Sequence, residues 1–149
     1  METGTARSTS LTSSLPVRLS RDDLWAGLLR KAEDPVAFIP AITACTVLER
    51  RSDGSLVREI VVDGETRQRE LVTFEPKRRI VFEQLTDPDL SAIVNQVDED
   101  GDVLRLTLRI ELSEHGMARA AREPGFLNGT RDYFAGTLRD IVATIHRPD

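Results

Sequence analysis

The sequence is poor in cysteine and histidine, the residues that build disulfides and many metal centres. It contains one cysteine, Cys45, and two histidines, which excludes an internal disulfide and leaves too few ligands for a cysteine-cluster metal site. Basic side chains number 20 against 25 acidic ones, giving a formal net charge of −5. Because affinity for a phosphate backbone comes mostly from clustered Lys and Arg, we expect no nucleic-acid partner. We also expect neither a metal nor a cofactor.

Long apolar runs are missing as well. No stretch approaches the roughly 20 apolar residues that a membrane span needs, and residues 1–10 lack the apolar centre of a signal peptide. These ten residues are rich in Ser and Thr, and we expect them to form a flexible tail. Residues 11–149 are then expected to form a single domain, since the chain is long enough for one core of ordinary size. A reducing cytoplasm fits the cysteine usage.

An apolar stripe and a capping signal predict the first helix over residues 21–33. Ser20 and Asp23 have the spacing of a capping box, in which the hydroxyl satisfies an orphan amide of the first turn. Pro35 ends or bends the helix. Residues 35–39 can add one further turn.

A second, longer helix is expected at the other end of the chain, over residues 130–146. Its apolar positions follow helical spacing: Phe134, Leu138, Ile141, Val142 and Ile145. A short helix over 117–123 and a break at Pro124-Gly125 are expected before it.

Between these helices the apolar period changes to two, which is typical of half-buried strands. Six candidate strands, separated by turn residues such as Asp-Gly, cover 42–50, 55–63, 66–75, 79–85, 91–98 and 102–112. An earlier strand is expected over 11–19, at a sheet edge, because Pro16 cannot donate a ladder hydrogen bond. The short connections indicate an antiparallel meander.

The last strand has the clearest alternation, with one apolar face formed by Leu104, Leu106, Leu108, Ile110 and Leu112. Arg105 and Arg109 fall on the opposite face. Such alternation places one face on a core and the other in water. We therefore expect the C-terminal helix to pack against this leucine face.

This order of elements resembles the helix-grip fold of the START-like superfamily, also called SRPBCC or birch-pollen-allergen-like, and most closely its AtaL-like branch. The similar segments are Leu19 to Trp25 with Gly27-Leu28-Leu29, Phe38 to Ile42, Cys45 to Arg50, Leu56 to Ile60, Arg69-Glu70, and Arg79 to Glu83. The resemblance implies an α+β fold in which a curved antiparallel sheet of about seven strands wraps around a long C-terminal helix, with two short helices after the first strand. Related folds serve as lipid carriers, hormone receptors, polyketide aromatases and cyclases, and co-chaperones, so the resemblance implies no single chemistry.

A strongly curved sheet cannot pack flush along a straight helix, so we expect an internal cavity between them. Large fillers are scarce, because aromatic residues make up only 5% of the chain. The leading hypothesis is binding of a small apolar or aromatic metabolite, lipid-like or polyketide-like, in this cavity. A polyketide cyclase or aromatase using the same pocket and a protein-binding co-chaperone or assembly module are the alternatives. A homodimer through an exposed edge strand also stays open.

Ten residues are candidates for the ligand site: Phe38, Arg58, Glu70, Phe74, Phe82, Gln84, Leu106, Leu108, Tyr133 and Thr137. Arg58 and Glu70 fall on the inward faces of neighbouring strands, where they could pair at the wall or mouth of the pocket. Alternatively, both lie near strand ends and face solvent. Tyr133 could direct its hydroxyl into the cavity beside Thr137 or cover the helix edge. No residue is assigned a catalytic role.

Overall fold

Seven strands form a single antiparallel sheet in the computed structural model, which describes residues 10–147. The strands are β1 (Ser10–Val17), β2 (Ile42–Arg50), β3 (Leu56–Val62), β4 (Thr66–Glu75), β5 (Arg79–Gln84), β6 (Leu90–Asp100) and β7 (Val103–Leu112). Their order across the sheet is β1-β7-β6-β5-β4-β3-β2. The sequence-predicted meander and the edge position of the first strand are confirmed. Of the tail expected over residues 1–10, only Ser10 lies within the described residues, and it begins β1.

Three α-helices and one 3₁₀ turn complete the fold. Helix α1 (Arg21–Glu33) is followed by the 3₁₀ turn Pro35–Ala37, and α2 (Glu114–Arg122) and α3 (Phe126–His146) follow the last strand. The first cap is confirmed, since the Ser20 hydroxyl accepts a 3.1 Å hydrogen bond from the amide of Asp23.

The sequence-predicted starts of the last two helices, at residues 117 and 130, were wrong. Both helices begin before their apolar stripes, at positions that local caps determine. Ser113 caps α2 by accepting a 3.0 Å hydrogen bond from the amide of Gly116. Gly125, with φ of 91°, takes the left-handed conformation that lets α3 begin at Phe126. That conformation is accessible to glycine at little cost.

The sheet curves around α3, whose apolar side packs on the leucine face of β7. The ladder register shifts within β2 and within β6, and irregularities of this kind, such as β-bulges, bend strands and increase their twist. Leu106, Leu108, Ile110 and Leu112 are buried together with the α3 side chains Leu138, Ile141 and Ile145. The expected contact between helix and leucine face is confirmed. Among the described residues, no helix is both long and apolar enough to cross a membrane.

Helix α2 is fixed to the loop before β6 through a close backbone contact. The amide of Ser113 donates to the carbonyl of Asp89 at 2.9 Å, and the Ser113 hydroxyl donates to the carbonyl of Pro88 at 2.6 Å. Gly116 lies so near Asp89 that a Cβ there would overlap the Asp89 carbonyl oxygen. The glycine therefore lets α2 approach the loop that borders the site described below.

We expect Gly116→Ala to lower the free energy of unfolding by about 1–3 kcal/mol, because the added methyl group forces backbone to move. Gly129→Ala on α3 is the matched control, since its Cβ would meet no heavy atom within 4 Å. The control should be neutral or stabilising by up to about 1 kcal/mol, reflecting helix propensity alone. Urea unfolding followed by circular dichroism measures both. Equal effects of the two substitutions would contradict the packing described for α2.

Candidate ligand-binding site

A pocket of about 480 Å³ lies between the concave face of the sheet and α3. Its walls come from the end of α1, from strands β2 to β7 and from one side of α3, and the α2–α3 junction borders it. Ligand pockets in proteins typically measure roughly 300–1,000 Å³. The space is therefore large enough for a small organic molecule.

Seven of the ten sequence-predicted site residues line this pocket: Arg58, Glu70, Phe82, Gln84, Leu108, Tyr133 and Thr137. The structure places the other three elsewhere. Phe38 is buried in the core, and its neighbour Ile39 reaches the pocket instead. Leu106, opposite Leu15 and Val97 in the sheet, is also fully buried in the core. Phe74 is half-buried beside a separate surface depression.

Three polar side chains form one row across the concave face. Strand register places Arg58 opposite Glu70 and Glu70 opposite Gln84. The Nε of Arg58 donates to Glu70 Oε1 at 2.7 Å, and the Gln84 amide donates to Glu70 Oε2 at 2.7 Å. Arg58 and Glu70 are each 2% exposed, so the alternative in which they face solvent at strand ends is wrong.

Arg58 also ties this row to α1. Its Nη1 donates to the carbonyl oxygen of Ala32 at 2.8 Å, in the last turn of the helix. A cation at that position is favourable because the C-terminal carbonyls carry partial negative charge. The guanidinium carbon lies 4.7 Å from the centroid of the Phe82 ring, within the range of a cation–π contact. Arg58 thus links the end of α1 to the sheet.

Lys31, on the last turn of α1, brings a second cationic group to the same ring. Its Nζ lies 4.3 Å from the centroid of Phe82, and the residue is 3% exposed. Burial, followed by the nearby Arg58 guanidinium, lowers the pKa of Lys31 from 10.5 to about 7, while Glu70 opposes the shift. Charged ammonium and neutral amine are therefore both well populated at neutral pH.

Asn95 on β6 presents a buried amide to the pocket without a protein partner. The residue is 1% exposed, and within the described residues neither its Oδ1 nor its Nδ2 makes a hydrogen bond. A buried polar group left unsatisfied costs roughly 1–3 kcal/mol. Together with Lys31, this amide provides donors and an acceptor inside walls that are otherwise largely apolar.

The rim of the pocket carries charges on the loop before β6 and on α2. Asp89 accepts a 2.6 Å hydrogen bond from Arg119 Nη1, and its Oδ1 lies 2.9 Å from His115 Nδ1. Burial raises the pKa of Asp89, but the hydrogen bonds with His115 and Arg119 outweigh it, and the net shift is downward. This carboxylate therefore stays ionised and holds α2 in place.

Tyr133 and Thr137 lie on α3, and both line the pocket. The Thr137 hydroxyl donates to the backbone carbonyl of Tyr133 at 3.2 Å. Tyr133 is 50% exposed. Burial of its other half, with a smaller contribution from Asp63, raises the pKa of Tyr133, so the phenol is uncharged at neutral pH.

Sequence reasoning missed Lys31 and Asn95, although each interrupts an apolar pattern. Lys31 follows Leu24 and Leu28 at helical spacing, on the stripe that faces the core. Asn95 alternates with Ile93 and Val97 on β6. A polar residue at an inward position was the available signal in both cases. Within residues 10–147, no group of three or more His, Cys, Asp or Glu side chains is placed to hold a metal ion.

Solved structures share this architecture at low sequence identity. The di-domain ARO/CYC StfQ from the steffimycin biosynthetic pathway matches with a TM-score of 0.68 and 16% identity, covering 91% of this chain and 49% of that one. Ara h 8.0201 matches with a TM-score of 0.62 and 10% identity, covering 92% of this chain and 97% of that one. A START superfamily protein from Mycobacterium smegmatis matches with a TM-score of 0.62 and 16% identity, covering 91% of this chain and 93% of that one. The chain spans about half the length of the di-domain proteins StfQ and BexL.

The fold, a seven-stranded curved sheet around a long C-terminal helix, is the one that these solved structures share, the START superfamily protein among them. A search of curated protein sequences gave no match. The family model AtaL, described as "Acetylaranotin biosynthesis cluster protein L", matches residues 8–141. The chain belongs to the AtaL family, which confirms the resemblance seen in the sequence.

The depressed pKa of Lys31 predicts a specific pH dependence of stability. Between about pH 7 and 10.5 the unfolded chain binds more protons at this position than the folded protein does. Stability relative to Lys31→Met should therefore rise with pH across this window, by up to about 1.36 kcal/mol per pH unit. Urea unfolding at several pH values measures the difference. Lys77→Met, at an exposed lysine paired with Asp22, is the control and should follow the wild-type profile. Parallel profiles for wild type and Lys31→Met would contradict the burial of Lys31.

Proposed function

We propose that this protein binds a small, largely apolar or aromatic molecule that carries at least one oxygen function, in the pocket between the sheet and α3. The observation that carries the proposal is the combination of apolar walls with an unpartnered buried amide at Asn95. Ligand pockets are typically apolar with a few placed polar groups that fix the orientation of the ligand.

The apolar walls suit a flat or elongated hydrocarbon skeleton. They come from both layers of the fold: Ile39, Ile42, Ile60, Val62, Phe82, Leu90, Ile93, Leu108, Phe126, Phe134 and Ile141. Removing apolar ligand surface from water stabilises the complex by roughly 25 cal/mol per Å² before the costs of association. A lipid-like or polyketide-like skeleton meets this description.

The polar groups select for oxygen on the ligand. A carbonyl or hydroxyl oxygen can accept from the Asn95 amide or from Lys31, and a hydroxyl can also donate to Asn95 Oδ1. Such a ligand removes the cost that Asn95 imposes on the free protein. The guanidinium of Arg58 and both carboxylate oxygens of Glu70 already have protein partners. We therefore assign these two residues to the structure of the pocket wall and not to hydrogen bonding with the ligand.

A polyketide cyclase or aromatase is the second candidate, favoured by the titration of Lys31. A group whose pKa lies near 7 can both accept and donate a proton at neutral pH, as general acid–base chemistry requires. The names of the AtaL family and of StfQ both refer to biosynthesis.

The cytoplasmic location expected from the sequence belongs to the same proposal, and homodimer formation stays a prediction.

Blocking the pocket should weaken ligand binding. We expect 2-naphthylmethanol to bind the wild-type protein, and Thr137→Trp to weaken this binding about tenfold or more, because the indole occupies ligand space. Thr137 is half-buried at the pocket, whereas Ala143 is exposed on the same helix. Ala143→Trp is therefore the matched control and should bind as the wild type does. Isothermal titration calorimetry and native mass spectrometry measure both. Absence of binding to the wild type by any member of an aromatic and fatty probe set would overturn the proposal.

Asn95→Leu separates the oxygen preference from the apolar contribution. The substitution removes an unsatisfied amide, so we expect the free energy of unfolding to rise by about 1–3 kcal/mol. Affinity for 2-naphthylmethanol should fall toward that for 2-methylnaphthalene, which lacks the oxygen and should bind equally to both proteins. Gln96→Leu on the opposite face of β6 is the control, since Gln96 bonds Asp98 at 2.9 Å. An unchanged difference between the two probes would exclude Asn95 from ligand recognition.

A further inference from the structure

The choice of lysine at position 31 stands out against the composition of the chain. Eighteen of the 20 basic residues are Arg, and only Lys31 and Lys77 are Lys. Lys77 is an exposed surface residue whose Nζ lies 2.7 Å from Asp22. Arginine cannot lose its proton in a protein, whereas a buried lysine readily becomes a neutral amine. The one buried basic side chain that can become a nucleophile therefore lies at the pocket.

The surroundings of Lys31 favour the uncharged amine. Nζ and the Arg58 guanidinium lie over the same Phe82 ring, at 4.3 and 4.7 Å from its centroid. Glu70, the carboxylate of this cluster, is already bonded by Arg58 and Gln84. Within residues 10–147, Nζ of Lys31 makes no hydrogen bond or ion pair. Burial beside another cation is a known way to activate a lysine amine.

We propose that Lys31 captures carbonyl compounds, forming a reversible imine with the aldehyde or ketone group of an apolar molecule in the pocket. This inference rests on the proposed function, because the ligand must first occupy the pocket. The substrate class is a small aromatic or aliphatic carbonyl compound. The pKa of about 7 for Lys31 agrees with this role, since the neutral amine is the reacting form.

The step balances without an oxidant, a reductant or a cofactor. The Nζ lone pair forms a bond to the carbonyl carbon, and the π electron pair moves to the oxygen. The two protons of the neutral amine then leave with that oxygen as water, which leaves a carbon–nitrogen double bond. Water hydrolyses the imine by the reverse route. The product is uncharged, so it avoids placing a second cation beside Arg58.

Asn95 is positioned to assist as a hydrogen-bond donor to the carbonyl oxygen. It lies opposite Ile80, and Phe82 lies opposite Ile93, so Asn95 and Phe82 are diagonal neighbours on adjacent strands. Diagonal neighbours on one sheet face lie about 7–8 Å apart at their Cα atoms. The unpartnered Nδ2 of Asn95 and the amine over Phe82 thus line one pocket wall. A donor aimed at developing negative charge on oxygen favours attack by the amine.

Reductive trapping tests the proposal on the unmodified protein. Wild-type protein is incubated at pH 7 with 2-naphthaldehyde and sodium cyanoborohydride, which delivers hydride to the imine carbon once the imine nitrogen takes up a proton from water, and so forms a stable secondary amine. Peptide mapping then locates the naphthylmethyl group. We expect Lys31 to be labelled about tenfold faster than Lys77, because binding holds the aldehyde beside the amine. Excess 2-naphthylmethanol, which cannot form an imine, should protect Lys31 and leave Lys77 and the α-amino group unaffected.

Two matched variants complete the design. Lys31→Arg cannot form the imine, so it should lose the protected label at position 31. Lys77→Arg should retain the label at Lys31. Equal labelling of both lysines, or labelling of Lys31 that the alcohol does not reduce, overturns the proposal. Binding of 2-naphthylmethanol without any label at Lys31 also overturns it, and that outcome leaves the proposed function standing. Absence of binding and of label defeats both.

Discussion

The buried ion pair between Arg58 and Glu70 fixes the relation between the sheet and α1. It joins β3 to β4, Gln84 extends it to β5, and Arg58 reaches the C-terminal carbonyls of α1. Desolvating two charges is costly, and their mutual attraction offsets that cost only when further hydrogen bonds satisfy both groups. Here both carboxylate oxygens of Glu70 and two of the three guanidinium nitrogens of Arg58 have partners.

The chemistry of the pocket follows from this arrangement. Because Arg58 draws the last turn of α1 onto Phe82, Lys31 is carried into a buried position on the same ring. The Arg58 guanidinium then raises the free-energy cost of a positive charge on Lys31. The lowered pKa of Lys31 is thus a consequence of how the helix is held.

Asn95 shows the opposite balance, in which stability is given up inside the core. Its amide has no partner among the described residues, although Ile80 and Leu108 flank it on neighbouring strands. An apolar residue of similar size would fill the same place at lower free energy. The rule that a buried polar group has a hydrogen-bond partner is typically broken at functional sites. With Lys31, Asn95 places hydrogen-bonding groups in the wall of the pocket.

Much of the site was readable from the sequence because strands obey a period of two. Alternation placed Arg58, Glu70, Phe82 and Gln84 on inward faces, and short hairpins set the register that aligns them. Cap positions, by contrast, moved the starts of α2 and α3. Chain periodicity and turn residues therefore predicted the antiparallel meander and the inward row, and the family resemblance implied the fold class. Only the tertiary structure decided that Lys31 contacts Phe82 and that Asn95 lacks a hydrogen-bond partner. Both depend on contacts between elements far apart in the chain, and a local sequence pattern does not give the distances between such elements.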